Sequence, residues 1–244
     1  GLFLPYFPLY LAGMGFSPTE ITALAALVPL SGLVAPPLVG LLADVLGLRV
    51  WFLRGLTFAA LVAFCGFFAA SDRAGIWLVS ALFAFLRAPL WSLADAAAFA
   101  ATQQGGGSYG RLRVWGSIGF LTAVTACGMV IERSGVRMVL IATAVAFALA
   151  AIFSIAISAP PARRQPRAVN AWWRLLHTGE TRVFLAAVVL AQAASAAYDS
   201  CFSLHLRQLG FGPSFTGAAW AAAILAEIGL MVAISGLMAR GHAP

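Results

Sequence analysis

Apolar stretches long enough to cross a membrane alternate with short polar joints along the whole chain. The stretches fall at about 1–15, 21–43, 51–71, 76–101, 111–131, 137–158, 183–206 and 214–238. Because about 20 apolar residues in a helix span the hydrocarbon core of a bilayer, the pattern predicts eight transmembrane helices. The first stretch is short, and we interpret it as a truncated helix.

One connection is much longer than the others and divides the chain into two parts. It runs from Pro160 to Glu180 and mixes arginines with paired tryptophans: Arg163, Arg164, Arg167, Trp172, Trp173 and Arg174. Such sequence beside apolar spans is typical of a cytoplasmic linker with an interfacial helix. We therefore predict a six-helix bundle over 1–158, a linker over 159–182 and the first two helices of a second bundle over 183–244.

Composition argues against a soluble domain. Of the 244 residues, 62% are hydrophobic and 9% are charged. A soluble domain of this size could not bury so much apolar surface, so lipid must be its main solvent. The net charge of +7 arises from arginine, since the sequence contains no lysine. The arginines collect between the apolar stretches, as topology signals at an anionic membrane surface do, and this argues against nucleic-acid binding.

The arginines also predict an orientation. One side of the membrane holds Arg49, Arg54, Arg111, Arg113, Arg182, Arg240 and the linker arginines, and the other holds Arg73, Arg133, Arg137 and Arg207. The richer side is expected in the cytoplasm. We predict a multi-pass protein of the inner (plasma) membrane whose amino terminus and linker are cytoplasmic. Tryptophans near span ends, such as Trp115 and Trp220, are expected in the interfacial belt.

The chain repeats part of its own sequence after six spans. Phe7, Leu9, Leu11, Gly15, Phe16 and Pro18 return at one constant offset as Phe202, Leu204, Leu206, Gly210, Phe211 and Pro213. Chance similarity between apolar sequences is the alternative explanation. The shared Gly-Phe-x-Pro favours a parallel repeat, which is typical of transporters built from two six-helix halves.

Four ionisable residues lie inside or at the inner end of predicted spans: Asp95, Arg113, Asp199 and Glu227. A charge at the bilayer centre costs roughly 2.5–3.5 kcal/mol on insertion scales, so such residues usually face a cavity and bind ions or polar solutes. The sequence therefore predicts a transporter. We expect no enzyme, cofactor or metal, since metalloprotease, hydrolase and phosphate-loop motifs are absent and the three cysteines lack metal-ligand spacing.

The joint between spans two and three, G-L-L-A-D-V-L-G-L-R at 40–49, resembles the signature motif of the major facilitator superfamily. Glycines permit a tight reversal and close helix contact, and an aspartate at a helix end can engage an arginine. In that family the motif latches the inner side of the outward-facing state. The resemblance therefore implies a gating role for Gly40, Asp44, Gly47 and Arg49. Two apolar residues replace basic residues of the pattern, which should weaken the latch.

Spans four and five carry charges that can meet. Asp95 and Arg113 would lower each other's desolvation cost across an antiparallel helix pair, and a structural ion pair is the alternative to a binding role. Phe120 follows Arg113 by seven residues, on the same helix face about 10 Å further along. Arg87 and Trp91 precede Asp95 at intervals of four. Arg87 is either an anion contact or a structural arginine stacked on Trp91, and we favour the stack.

Two segments make the resemblance more specific. Pro5-Tyr6-Phe7-Pro8 and Tyr109-Gly110-Arg111-x-Arg113 are similar to the lactose permease and phenylpropionate permease branch of proton symporters, and the match extends along essentially the whole chain. The resemblance implies that Asp95, Arg113 and Phe120 bind the solute. Phe120 and Asp95 stand where the sugar permease has Trp and Glu, and Asp95 before Tyr-Gly-x-x-Arg-x-Trp-Gly-Ser is closer to the phenylpropionate pattern.

The resemblance also assigns roles in the second half of the chain. Tyr198 would lie against the solute ring, and Glu227 would link the solute to the proton, with Asp199 assisting. For Asp199 the alternative is a structural pair with a positive charge on helix eleven, which this chain lacks. For Glu227 the alternative is a buried, hydrogen-bonded acid.

The resulting expectation is an incomplete all-α major-facilitator bundle, without helices nine to twelve of the family. The expected function is proton-coupled symport of a small organic solute, and an aromatic carboxylate of the phenylpropionate type is preferred. An oligosaccharide or a nucleoside is the alternative solute. A non-transporting membrane scaffold or inactive fragment is the alternative from another class. The full-length protein is expected to function as a monomer in the lipid bilayer.

Overall fold

The structure is a computed structural model that describes residues 3–105, 109–157 and 178–241, and every regular element in these ranges is a helix. In chain order the helices are α1 (Phe3–Gly13), α2 (Pro18–Leu46), α3 (Arg49–Ala69), α4 (Arg73–Arg87), α5 (Leu90–Gly105), α6 (Tyr109–Ser134), α7 (Met138–Ala156), α8 (Gly179–Gln208) and α9 (Pro213–Gly241). The prediction of an all-helical bundle is confirmed.

The predicted spans correspond closely to these helices. Six stretches are long and apolar enough to cross a membrane: Pro18–Leu46, Arg49–Ala69, Arg73–Thr102, Leu112–Ser134, Met138–Ala156 and Pro213–Leu230. Predicted spans one and seven correspond to α1 and α8, which are not among the six in the described part of the chain. The predicted linker over 159–182 lies outside the described residues as far as position 177, so this domain division stays a prediction.

Predicted span four consists of two helices, α4 and α5, separated at Ala88 and Pro89. Proline has no backbone N–H, and its ring crowds the carbonyl of the residue four positions earlier, so it interrupts the helical hydrogen-bond ladder. The carbonyl of Phe85 therefore loses its usual donor. The break lies near the middle of the apolar stretch Arg73–Thr102.

Aromatic side chains form the centre of the first bundle. Phe3 and Phe7 of α1 stack with ring centroids 4.1 Å apart, and Phe64 and Phe83 meet edge to face at 5.0 Å. Phe147 of α7 packs edge to face on Phe83 at 5.2 Å. Within lipid, helices associate through such close packing because the surrounding acyl chains are equally apolar. This phenylalanine cluster therefore ties α1, α3, α4 and α7 together.

The last two helices pack on different sides of the first bundle. Helix α8 contacts α1 and α2, whereas α9 packs along α6. The contact between α6 and α9 is the most extensive between any two described helices. Residues of the second part of the chain therefore meet those of the first part along α1, α2 and α6.

Arg54 of α3 holds the end of α7. Its guanidinium donates hydrogen bonds to the carbonyl oxygens of Ser154 at 3.1 Å, Ile155 at 2.9 Å and Ile157 at 2.6 Å. The last carbonyls of a helix have no partners within the helix, and a cation also interacts favourably with that end of the helix dipole. The arginine also lies over the ring of Trp51 at 4.9 Å. It thus joins two helices whose own contacts are apolar.

We expect Arg54→Gln to lower the thermal unfolding temperature of the detergent-solubilised protein. Losing a charged hydrogen-bond donor costs about 2 kcal/mol, which corresponds to about 5 °C for a chain of this size. Arg133→Gln, at an exposed position with no described ion pair, is the control and should leave the temperature unchanged. Equal melting of the two variants would contradict the capping role.

Candidate functional site

The helices approach one another more closely at one end of the bundle than at the other. The turns α1–α2, α3–α4, α6–α7 and α8–α9 lie at one end, which we name the closed end. The opposite end carries the α2–α3 turn and the start of α6, and we name it the arginine-rich end because Arg49, Arg54 and Arg113 lie there. The candidate site lies between these two ends.

Tyr6 lies at the centre of the closed end. Its hydroxyl donates a hydrogen bond to the carbonyl of Val124 at 2.7 Å, and the carbonyl of Pro213 is 3.5 Å away. A Cβ built on Gly128 would lie 2.6 Å from this hydroxyl and 2.8 Å from Pro213 O. A Cβ on Gly217 would meet the hydroxyl at 2.6 Å and Val124 O at 2.9 Å. Glycine at both positions lets α6 and α9 touch through their backbones, with the Tyr6 hydroxyl of α1 between them.

Glu132 adds a polar contact at the same end. Its carboxylate accepts a hydrogen bond from the backbone N–H of Ser214 at 3.2 Å, in the first turn of α9. The first N–H groups of a helix lack partners within the helix and favour a negative charge. The carboxylate of α6 therefore caps α9 from the other half of the chain.

Toward the arginine-rich end, α6 and α9 have free space beside them. A Cβ on Gly116 or Gly119 of α6, or on Gly229 of α9, would meet no atom within 4 Å. Trp115 is 71% exposed. The helices thus touch at the closed end, and none of these three glycines is packed against a neighbouring helix.

Phe120 and Arg87 share one depth in the bundle. Each lies 14 positions from the closed-end limit of its helix, at Ser134 and Arg73 respectively. At the helical rise this distance is about 21 Å. We name these two residues the mid-depth layer. Arg113 lies seven positions beyond Phe120, about 10 Å closer to the arginine-rich end.

Aromatic side chains from three helices meet near this layer. The Phe120 ring of α6 lies 6.2 Å from that of Trp220 in α9, and the Tyr198 ring of α8 lies 5.6 Å from Trp220. Tyr198 also stacks on Phe202 at 4.7 Å. The structure therefore brings two predicted site residues, Phe120 and Tyr198, into one aromatic group through Trp220.

The prediction that Trp220 belongs to an interfacial belt is wrong. The residue is partly buried against the phenylalanine cluster, and its indole nitrogen is buried without a hydrogen-bond partner. Its position near the start of α9 suggested the interface, but this end of α9 is buried against α6. The sequence did carry a signal that Trp220 faces the other helices. Trp220 and Glu227 are seven residues apart, which is two helical turns, so they lie on the same face of α9.

Asp95 and Arg113 lie together, as the antiparallel arrangement predicts. Arg113 Nη1 is 3.7 Å from Asp95 Oδ1, and the Tyr109 hydroxyl donates to the same oxygen at 3.0 Å. This hydrogen bond to a carboxylate raises the pKa of Tyr109 above its ordinary value. The guanidinium of Arg113 also lies 5.1 Å from the centroid of the Trp91 ring. About half of each charged side chain is exposed, so the pair faces open space.

The expected stack of Arg87 on Trp91 does not form. Arg87 instead faces the rings of Phe3 at 5.8 Å and Phe83 at 5.9 Å, while Trp91 lies beneath Arg113. Pro89 stands between Arg87 and Trp91 and separates the helices that carry them. The spacing of four residues therefore predicted a contact that the helix break prevents.

The two remaining predicted carboxylates have different outcomes. Glu227 is exposed, and no described contact joins it to the aromatic group or to Arg113. The Asp199 side chain lies outside the part that the structure describes, so its role stays a prediction. Glu227 lies seven positions beyond Trp220 on α9, about 10 Å closer to the arginine-rich end than the aromatic group and near the level of Arg113.

The predicted gating motif forms a compact turn. Gly47 ends α2 with a φ of +69°, a conformation that favours glycine, and Arg49 pairs with Asp44 across the turn. Gly40 was expected to allow close helix contact, but a Cβ there would meet no atom within 4 Å. Close packing at Gly40 is therefore absent here, and the gating role of the motif stays a prediction.

Comparisons with known proteins identify the family. The model of the MFS_1 like family matches residues 1–243. The chain belongs to this family of the major facilitator superfamily.

Two curated relatives cover nearly the whole chain. It is 30% identical to the probable 3-phenylpropionic acid transporter of Escherichia coli (strain K12) and 28% identical to the maltose permease of Geobacillus stearothermophilus, over 98% of its length in each case. It spans 64% of the first relative and 61% of the second. Sequence similarity therefore covers this chain almost completely and each relative in part.

The fold also matches a solved structure. A crystal structure of the nucleoside transporter NupG (D323A mutant) superposes with a TM-score of 0.78 at 17% identity. The match covers 98% of this chain and 64% of that protein. At this identity the similarity concerns the fold alone, and it confirms the major-facilitator arrangement of the described helices.

We expect Gly217→Val to open the closed end, because the added atoms would overlap Tyr6 and the α6 backbone. Overpacking of this kind costs about 1–3 kcal/mol. Cys127 is buried beside Gly128 and provides a native reporter once the exposed Cys65 and Cys201 are replaced by serine. Its labelling by a membrane-permeant maleimide should be at least about fivefold faster in Gly217→Val, which corresponds to about 1 kcal/mol.

Gly229→Val is the matched control for this experiment, since the same helix has open space at that position. It should label at the parental rate. Equal acceleration in both variants would show that labelling reports general destabilisation rather than opening of the closed end.

The half-exposed side chains of Asp95 and Arg113 also allow a solute-binding role to be distinguished from a structural ion pair. Exposed ion pairs contribute about 0–1 kcal/mol, whereas breaking a buried structural pair costs about 3–5 kcal/mol. We expect Asp95→Asn to reduce the free energy of unfolding by no more than about 1 kcal/mol. Chemical denaturation in detergent of the Asp95→Asn, Arg113→Gln and Asp95→Asn/Arg113→Gln variants measures the coupling between the two residues. A coupling above about 3 kcal/mol would establish a structural pair.

Proposed function

We propose that the protein is a proton-coupled symporter of a small organic solute, and that the solute is an aromatic carboxylate of the phenylpropionate type. The observation that carries the proposal is the aromatic group of Phe120, Tyr198 and Trp220, which gathers rings from three helices in both parts of the chain. Such a group provides stacking surfaces for a planar ring. Similarity to a probable 3-phenylpropionic acid transporter supports the same solute class.

In this proposal the polar residues surround the aromatic group along the solute path. Asp95 and Arg113 contact polar groups of the solute on the side of the arginine-rich end, about 10 Å from Phe120 along α6. Glu227, exposed near the level of Arg113, takes up and releases the proton, with Asp199 assisting.

The proposed orientation explains the asymmetry between the two ends. We place the arginine-rich end, the amino terminus and the linker over 159–182 in the cytoplasm, and the whole chain in the inner (plasma) membrane. The described conformation is then closed to the outside. Alternating access would separate Gly128 from Gly217 and close the arginine-rich end, where Asp44 and Arg49 form the gating turn. We also propose that the full-length protein acts as a monomer.

A second solute class has its own support. The structural similarity to a nucleoside transporter and the sequence similarity to a maltose permease fit a polyhydroxylated solute. The half-exposed Asp95 carboxylate and Tyr109 hydroxyl are groups that would hydrogen-bond sugar hydroxyls. Uptake competition by 3-phenylpropionate, maltose and uridine, added separately to proteoliposomes carrying the full-length protein, would distinguish these classes. Absence of uptake for all three classes would favour a scaffold or an inactive fragment.

We expect Glu227→Gln to abolish solute accumulation driven by an imposed pH gradient, down to the level of empty vesicles. Solute exchange without net proton movement should persist, because glutamine imitates the protonated acid. Glu180→Gln, at an exposed carboxylate in the first turn of α8, should accumulate solute like the parent. Accumulation by Glu227→Gln at the parental level would remove this residue from the coupling step, and uptake insensitive to a protonophore would reject symport altogether.

A further inference from the structure

Arg87 differs from the other described arginines in being buried near mid-membrane without a counter-charge. Its Nε atom is buried without a hydrogen-bond partner, and its neighbours are the faces of Phe3 and Phe83. No carboxylate of the described residues forms an ion pair with it. The residue ends α4 at mid-depth, where a solvent-exposed counterion is distant.

The remaining described arginines are satisfied or lie at the surface. Arg49, Arg73 and Arg113 pair with Asp44, Glu20 and Asp95, and Arg54 donates to three carbonyls. Arg133, Arg137 and Arg207 are exposed at the closed end. Among these side chains, Arg87 alone combines a mid-membrane position with an unbalanced charge.

Two aromatic rings do not replace a counterion. Cation–π contacts contribute about 0.5–2 kcal/mol, and both rings lie near the outer limit of about 6 Å for such contacts. An uncompensated guanidinium at the bilayer centre is costly, and residues of this kind generally mark a pathway or a ligand. Arginine is suited to a planar, bidentate carboxylate. The environment of Arg87 therefore matches a ligand that carries one negative charge.

Arg87 and the aromatic group are parts of one continuous packing arrangement. Phe120 and Trp220 pack against the same buried core that contains the Phe3 and Phe83 rings faced by Arg87. Arg87 and Phe120 also share the mid-depth layer. A short aromatic acid with its ring at Phe120 would thus present its carboxylate at the level of Arg87, whereas Arg113 lies about 10 Å away along the bundle.

We propose that Arg87 binds the carboxylate of the solute, and that Arg113, already neutralised by Asp95, contributes no selectivity for anions. This assignment rests on the proposed function, because it takes the solute to be an aromatic monocarboxylate. It adds a specificity-determining residue at the α4–α5 break. It also predicts that the protein distinguishes an aromatic acid from the corresponding neutral amide through a single residue.

The test compares binding of 3-phenylpropionate and of 3-phenylpropanamide to the purified full-length protein by calorimetry. The parent should bind the acid more tightly than the amide by about tenfold to a hundredfold, the range expected for one charged hydrogen-bonding contact. Arg87→Gln should lose this preference while it still binds the amide. Arg133→Gln, at an exposed arginine of the closed end, is the control and should keep the preference, and Arg113→Gln tests the other possible assignment of the carboxylate. Arg87→Lys should retain part of the preference, since lysine keeps the charge without the bidentate geometry.

The possible outcomes separate this proposal from the proposed function. A parent that binds neither compound would overturn both. An Arg87→Gln variant that still prefers the acid would overturn the Arg87 assignment and leave aromatic-acid transport intact, and loss of the preference in Arg113→Gln alone would assign the carboxylate to Arg113. Loss of amide binding in both Arg87 variants would show a structural role and would also overturn the assignment.

Discussion

Backbone contact between α6 and α9 is the constraint on which the described arrangement depends. Acyl chains are as apolar as leucine, so helices in a bilayer are held together by close packing and hydrogen bonds rather than by hydrophobic burial. Gly128 and Gly217 permit this approach, and the Tyr6 hydroxyl fills the space between them. This close approach brings Trp220 against Phe120, so the aromatic group depends on the contact between α6 and α9 at the closed end.

Much of the fold follows from the sequence because lipid imposes a simple rule. The backbone N–H and C=O groups of each apolar stretch have to form hydrogen bonds within the stretch, because lipid offers no partners. A run of about 20 apolar residues therefore forms a helix. This is why the boundaries of α2, α3, α6 and α7 lie close to the predicted spans. The break between α4 and α5 was missed because one proline hardly changes the apolarity of span four.

The candidate site was harder to predict, because it depends on contacts between helices. Asp95 and Arg113 lie together as expected, because residues at similar depth on two adjacent antiparallel helices are close in space. Trp220 was misplaced because a tryptophan near a helix end suits an interface and a helix contact equally well. Arg87 was assigned to Trp91 from a helical spacing that assumes an unbroken helix, and Pro89 interrupts it. Side-chain partners across a break are determined by neighbouring helices, here α1, which contributes Phe3.

The proline at position 89 divides predicted span four into two mechanical units. Arg87 belongs to the unit that the phenylalanine cluster holds against α1, α3 and α7, whereas Asp95 belongs to the unit that contacts α6 through Arg113 and Tyr109. Bending at this point would change the separation between the two side chains, and it would also move Leu93 of α5 relative to Val39 of α2 and Leu53 of α3, with which it packs. Span four can therefore bend at Pro89, directly beside the Arg87 guanidinium at the level of the bilayer centre.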